Sequence, residues 1–384
     1  MKKKLLYASP FLPMKSGISD YSEILVYGLK DYFDVTLLID NYKLQNKNLY
    51  SDFEVQEYSH NVDFSKFDYR IYNIGNNPYF HSYIYEAALE YPGTIILHDY
   101  SLYFLFIGYY EKRGNLYSKI FESGGAKGID IVKSKIKNSR PGSLLEIKDI
   151  AHVLPLNDEV LNNANGVIVH SQYTKNLILS QYPDISVHKI NMVDMGNKPN
   201  KIKQYYVREK YGISESSFVI ASFGNIASTK QNHLVCEAVQ RLADEGIDIF
   251  YIMVGEGDYI NHFLGDRIIK TGFVEREVYD TLLDRCDIVA NLRYPSMGET
   301  SISLIHAMGM GKACMVTDDA WFSELPDNVV IKVQDRNADI LYNNILYYYQ
   351  NRENILNISV KAKQYVKTYH SIESISNDIK TYLL

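Results

Sequence analysis

Phe218-Val219-Ile220-Ala221-Ser222-Phe223-Gly224 is a nearly unbroken apolar run that ends on a glycine, and a helical pattern through Leu234, Ala238 and Leu242 follows it. A half-exposed strand alternates apolar and polar residues. A continuous run of this length reads instead as a strand covered on both faces of a parallel sheet. The same strand-then-helix unit recurs in both directions. Upstream stand Leu5–Ala8, Val35–Ile39, Tyr69–Tyr72, Thr94–Leu97 and Gly166–Val169; downstream stand Phe250–Val254, Ile288–Leu292, Ala313–Val316 and Val329–Ile331. The series restarts at Phe218, and Met195–Gln204 ahead of it is polar, contains Gly196 and Pro199, and reads as a linker. The expected fold is α/β, with two Rossmann-like, doubly wound parallel-sheet domains facing across a cleft.

Composition agrees with two soluble cores. The chain has 384 residues, 46% of them hydrophobic, and a net charge of −6, which argues against a nucleic-acid partner. Cys236, Cys286 and Cys314 are far apart, so neither a disulfide framework nor a zinc site is expected, and a reducing cytoplasm fits. Lys2-Lys3-Lys4 resembles the start of a signal peptide, but Pro10 and Pro13 interrupt the apolar run too early. No stretch is long and apolar enough to predict a transmembrane helix. The 34 tyrosines are spread along the chain and carry no recognition pattern of their own.

Ligands of doubly wound sheets bind where strands end, so the residues just after each strand carry the functional weight. Tyr294-Pro295-Ser296-Met297-Gly298-Glu299-Thr300-Ser301 leads into a helical stretch, Ile302–Met310. Free N–H groups at that helix start attract a diphosphate, and the Glu299 carboxylate, an acceptor only, suits sugar or ribose hydroxyls. A nucleotide-sugar satisfies both. Gly17, in Ser16-Gly17-Ile18-Ser19-Asp20, precedes another helix start and allows close approach of a phosphate; the alternative is a loop glycine with Ser19 or Asp20 as the cap. His98 follows a strand and suits proton handling or polar contact; a histidine satisfied by backbone is the alternative. His170-Ser171 follows another strand, with Ser171 read as a helix cap.

Lys230, six residues after Gly224, places an ammonium at a helix start, where it opposes the helix dipole unless an anion joins it. Gly255-Glu256-Gly257 is only part of a dinucleotide fingerprint, and a tight turn explains it. Thr271-Gly272-Phe273-Val274 is a further strand-end turn whose backbone suits a base edge. Asp318-Asp319 before Ala320 reads as a helix cap rather than a metal pair. The ten histidines show no metal spacing, and Gly309-Met310-Gly311-Lys312 lacks the length of a phosphate loop.

In this order the motifs resemble the group 1 glycosyltransferases (glycosyltransferase family 4), retaining enzymes of the two-domain GT-B architecture. The resemblance is strongest from Phe223 to Leu325. It implies domains of 1–198 with a returning C-terminal helix at about 371–384, on the acceptor side, and 199–370, on the donor side. It implies transfer of a sugar from a nucleoside diphosphate to an acceptor hydroxyl, with no cofactor and no bound metal. Gly17 and Lys230 would hold the diphosphate from opposite sides, with Gly224 and Asn225 beside Lys230. His98 would lie near the reacting sugar, Phe273 and Val274 at the base, and Gly298, Glu299, Thr300 and Ser301 at the sugar and diphosphate. His98, Lys230 and Glu299 are the catalytic candidates.

Two positions depart from the family. Its signature pairs two glutamates with seven residues between them, the second before Ala-Met; here those positions are His306 and Gly298, and Glu299 is one residue out of register. His306 can hydrogen-bond a ribose hydroxyl in place of the second glutamate; the alternative is a first-helix histidine that contacts only protein. Asn225 stands where many members have an arginine, and Arg293 is the candidate replacement charge.

Lys112–Lys148 holds nine basic residues against three acidic ones. Two readings stand for it: a surface that rests on anionic lipid, or a solvated loop. The acceptor is accordingly a glycan, a protein or a lipid-linked group, and the location cytoplasmic, with the inner membrane face as an option. Surface polysaccharide or glycoconjugate assembly is the expected setting. Two other functions remain: a silent nucleotide-sugar-binding subunit that assists a partner transferase, and a sugar-nucleotide epimerase of the same fold.

Overall fold

The computed structural model describes residues 2–59, 61–139, 142–196, 208 and 210–384. The described residues divide into two compact units. One comprises Met1–Val193, Met297–Thr300 and Ile372–Leu384; the other comprises Asp194–Ser296 and Ser301–Ser371. The expected linker lies largely at 197–204, outside the described residues.

The first unit is built on seven parallel strands: β1 Lys3–Ala8, β2 Phe33–Ile39, β3 Glu54–Glu57, β4 Tyr69–Ile74, β5 Thr94–Leu97, β6 Gly166–Val169 and β7 Val187–Lys189. Their order is β3-β2-β1-β4-β5-β6-β7. The second unit holds β8 Phe218–Phe223, β9 Ile249–Val254, β10 Ile268–Lys270, β11 Ile288–Asn291, β12 Ala313–Thr317 and β13 Ile331–Val333, in the order β10-β9-β8-β11-β12-β13. All pairs are parallel. In each sheet the order reverses once, between β1 and β4 and between β8 and β11. These are the switch points outside whose carboxyl ends such sheets bind ligands.

β5, β6, β8, β9, β11 and β12 are buried at every residue, as their unbroken apolar sequences require. Helix starts are fixed by side-chain caps. Ser16, rather than Ser19 or Asp20, caps helix Gly17–Leu29, with its hydroxyl accepting from the Ser19 N–H at 3.2 Å. Ser171 caps Gln172–Gln181, Ser301 caps Ile302–Gly309, and Asp319 caps Ala320–Ser323. The last helix, Ile372–Leu383, packs in the first unit on Gly28, where an added Cβ would lie 2.0 Å from the Ser376 hydroxyl.

Candidate functional site

In the second unit the loop leaving β8 runs through Gly224 and Asn225, both exposed. Gly224 has φ +90°, and the Lys230 ammonium folds back over it to donate to the Phe223 carbonyl at 3.0 Å. A Cβ at Gly224 would lie 2.9 Å from that nitrogen. The cation therefore sits at the carboxyl end of the strand beside the switch point, where an anion would be met.

The loop after β9 supports this one through backbone alone. Ile226 N–H donates to the Glu256 carbonyl at 2.6 Å, and Gly224 N–H to the Val254 carbonyl at 2.9 Å. A Cβ at Gly255 would fall 2.1 Å from the Gly224 carbonyl oxygen, and one at Gly257 1.9 Å from that of Ile226. The glycine pair is thus a contact between two peptide backbones.

Phe273 and Val274 follow β10, with the Phe273 ring 55% exposed, and lead into helix Arg276–Arg285. Arg293 follows β11, and its backbone N–H donates to the Thr317 hydroxyl at 2.9 Å. Ser301 starts the next helix, its hydroxyl accepting from the Leu304 N–H at 3.3 Å.

His306 departs from expectation. Its side chain is fully buried, and Nε2 lies 2.9 Å from Asp280 Oδ1 and 3.2 Å from an Arg276 guanidinium nitrogen. Nε2 is committed to protein partners rather than to a ribose hydroxyl, and Nδ1 is buried with no hydrogen-bond partner among the described residues. Arg276 also closes on Asp280 through Nε at 3.0 and 2.9 Å. Burial alone would raise the Asp280 pKa, but the His306 and Arg276 bonds outweigh it and hold the carboxyl below its ordinary value. Tyr279 joins this cluster to the strand end, its ring centroid 4.7 Å from that of Phe223 and 6.2 Å from that of His306. Arg276, Tyr279 and Asp280 are site-edge residues that the motif reading omits. Their signal was an Arg–Asp pair at helical spacing directly after the Phe273-Val274 turn.

In the first unit, Gly17 is exposed at the start of its helix beyond β1. His98, beyond β5, is 7% exposed, and Nε2 lies 3.1 Å from Asn73 Oδ1. The Asn73 amide nitrogen donates to the Ala8 carbonyl at 3.2 Å, which fixes its oxygen toward His98 and makes Nε2 the protonated nitrogen. Burial, then the neighbouring His170 and His81, push the His98 pKa well below its ordinary value. The side chain is a neutral hydrogen-bonding group at pH 7, and proton exchange near neutrality is not its property. Tyr21 packs on it edge-on at 5.1 Å, and His170 at 5.1 Å.

The turn Met297–Thr300 belongs to this unit. The Met297 carbonyl accepts from Tyr100 N–H at 2.9 Å and Ser101 N–H at 3.1 Å; the Gly298 carbonyl accepts from the Thr174 hydroxyl at 2.8 Å. Gly298 has φ +78°, and a Cβ there would lie 2.5 Å from that of Tyr100. No glutamate fits position 298, which is why the carboxylate stands at 299. One Glu299 oxygen accepts from the Met297 N–H at 2.6 Å and braces the turn. The Thr300 hydroxyl is buried with no hydrogen-bond partner among the described residues.

Residues 217–351 match the family model described as glycosyl transferases, group 1. The match spans Gly224, Lys230, Phe273, Arg293, Ser301 and His306. No curated protein matches the chain by sequence. By fold it is similar to sucrose-phosphate synthase from Thermosynechococcus elongatus (TM-score 0.66, 12% identity, covering 99% of this chain and 98% of that one). It is similar to Anabaena HepE in complex with UDP-glucose (TM-score 0.68, 15% identity, 99% of each chain). A provisionally named UDP-N-acetylglucosamine 2-epimerase from Listeria monocytogenes also shares it (TM-score 0.55, 11% identity, 98% of this chain and 94% of that one). The chain therefore has the GT-B fold, built as two parallel-sheet α/β units.

Among the described residues no helix is long and apolar enough to cross a membrane.

Proposed function

We propose that this protein transfers a sugar from a uridine diphosphate sugar to an acceptor hydroxyl, with retention at the anomeric carbon and without a bound metal. The observation that carries the reading is the Lys230 ammonium over Gly224, at the strand end beside the second switch point, inside the segment that matches the family. The uridine nucleotide rests on the fold shared with HepE, whose structure holds UDP-glucose.

In this reading Lys230 and the Ser301-capped helix start stabilise the negative charge that grows on the leaving diphosphate, and Arg293 adds the charge that Asn225 lacks. Gly17 approaches the same phosphates. The Phe273-Val274 backbone meets the base. The neutral His98, its Nε2 proton held by Asn73, accepts a hydrogen bond at the sugar through Nδ1, and Glu299, with Gly298 and Thr300 shaping its turn, faces the donor sugar. The acceptor belongs to surface polysaccharide or glycoconjugate assembly.

The test is release of nucleoside diphosphate from a panel of UDP-, GDP- and ADP-sugars, by parent and Lys230→Ala proteins, with added acceptors. UDP release that needs Lys230 and accompanies a glycosylated acceptor supports the proposal. A silent binding subunit would be stabilised by UDP yet release none, and an epimerase would return an isomeric nucleotide-sugar with no acceptor product.

A further inference from the structure

We infer that Asn232 is a positioning residue for Lys230: its buried side chain fixes the turn that carries the ammonium to the end of β8. The inference rests on Lys230 serving the diphosphate, as proposed above. Lys230 ends the short 3₁₀ turn Ser228–Lys230, Gln231 follows at φ +54°, and the helix Asn232–Asp244 begins at once. Gln231 makes no side-chain capping bond. The helix start is held instead by its first residue, Asn232, which turns into the core and is 2% exposed.

The Asn232 amide nitrogen donates to the Ser222 hydroxyl at 3.1 Å and to the Tyr251 hydroxyl at 2.7 Å, and the amide oxygen accepts from the Tyr259 hydroxyl at 3.3 Å. The Tyr251 hydroxyl donates in turn to that of Ser222 at 2.8 Å. Ser222 and Tyr251 are buried, on β8 and β9. Buried bonds of this kind are costly to leave unmade, so the network admits one placement of the helix start. The turn is thereby tied to two consecutive residues of β8: to Ser222 through Asn232, and to the Phe223 carbonyl through the Lys230 ammonium.

Gln231 shows that this placement is enforced. A left-handed conformation is unfavourable for a residue with a Cβ, and it persists where the surroundings over-determine it. Asn232 fixes the chain on one side of Gln231. On the other, the Lys230 N–H donates to the Ala227 carbonyl at 2.8 Å, and the Gln231 amide nitrogen donates to the Ser228 carbonyl at 2.9 Å. A lysine stem is flexible, so its ammonium reaches one fixed point only when the backbone beneath it is fixed. Releasing Asn232 lets Gln231 relax and moves the root of Lys230 away from the Phe223 carbonyl.

The experiment reads Lys230 in two ways. Reductive methylation with formaldehyde and cyanoborohydride, followed by mass spectrometry, reports the accessibility of each amine without need of turnover. In the parent, Lys230 should label more slowly than the exposed Lys361 and Lys367, and Asn232→Ala should raise its rate toward theirs. Tyr251→Phe, which removes one hydroxyl and keeps the shape of the core, should do so to a lesser degree. Val239→Ala, a core truncation in the same helix outside the network, should leave Lys230 labelling unchanged. Circular dichroism melts show which variants are folded at the assay temperature. The second readout is UDP release. Asn232→Ala should lower it roughly ten- to a hundredfold in the parent. In Lys230→Ala the same change should cost less than about twofold, because a residue that acts through Lys230 has nothing left to position. Unchanged Lys230 labelling in folded Asn232→Ala and Tyr251→Phe, or a loss of turnover as large without Lys230 as with it, overturns the inference. A parent that releases no UDP would overturn the donor reading instead, and the labelling alone would decide whether Asn232 places the ammonium.

Discussion

The Nε2 of His306 lies 2.9 Å from Asp280 Oδ1, and this contact ties together two helices that start at the same edge of the second sheet. A position that the family fills with a carboxylate is thus a histidine, and the carboxylate stands on the neighbouring helix, held by His306 and Arg276. Asp280→Asn should cost about 1–2 kcal/mol at pH 7, discounted for the half-exposed Arg276. The Asp280 pKa is depressed on folding, so its contribution is present above the unfolded value near 3.8 and is lost as pH falls below it. Urea midpoints of parent and variant should differ by a constant amount from pH 7 to 5 and converge only below about pH 4. A gap that stays constant below about pH 3 would show that Asp280 contributes nothing through its charge.

Lys230→Ala should lower turnover by roughly a hundredfold while leaving the melting temperature within a degree or two, because the ammonium is part-buried and donates to a loop-end backbone carbonyl. Steady-state UDP release and a melting curve measure the two. A large fall in stability with unchanged turnover would make Lys230 structural.

Gly257→Ala should destabilise the second unit by roughly 2–4 kcal/mol, since the new methyl would sit 1.9 Å from the Ile226 carbonyl oxygen. Thermal unfolding of this variant checks it. A loss below about 0.5 kcal/mol would show that the two loops separate freely.

His81 is fully buried, and burial lowers its pKa to about 4. Its unfolded form takes up protons near pH 6.5 while the folded form does not, so stability should fall as pH drops from about 6.5 toward 4. The loss attributable to His81 is roughly 1–3 kcal/mol over that window, and His81→Gln should flatten the slope of unfolding free energy against pH. A slope equal to the parent's would assign it to His98, whose pKa is also lowered by burial.

Ser301→Ala should cost about 1 kcal/mol through loss of the cap on the Leu304 N–H, and Ser301→Asp should restore most of it. In the donor-binding reading the aspartate restores stability but not UDP affinity, because its charge repels the diphosphate. Isothermal titration with UDP separates these effects, and a Ser301→Asp protein that binds UDP as the parent does would remove the diphosphate from that helix start.

The central strands were legible because burial on both faces leaves a continuous apolar sequence. The short edge strands β3 (Glu54-Val55-Gln56-Glu57), β7 (Val187-His188-Lys189) and β10 (Ile268-Ile269-Lys270) were not, since an edge is half solvated and tolerates charge. At the candidate site, Gly224, Lys230 and Ser301 were legible because a turn, a helix start and a cap are local demands. The environments of His306 and His98 were not. The Asp280 partner of His306 is 26 residues away on another helix. The low pKa of His98 depends on burial together with His81 and His170 from other elements, brought to it only by the fold. The displacement of Glu299 was visible in the sequence, but its reason, the left-handed Gly298 packed on Tyr100, was not.

The crossing of Gly255 and Gly257 over Gly224 and Ile226 bears on how such proteins diverge. Its geometry is written in peptide groups, and peptide groups are the same whatever side chains surround them. What the crossing demands of the sequence is therefore confined to its glycines, and the side chains around the strand ends take no part in it.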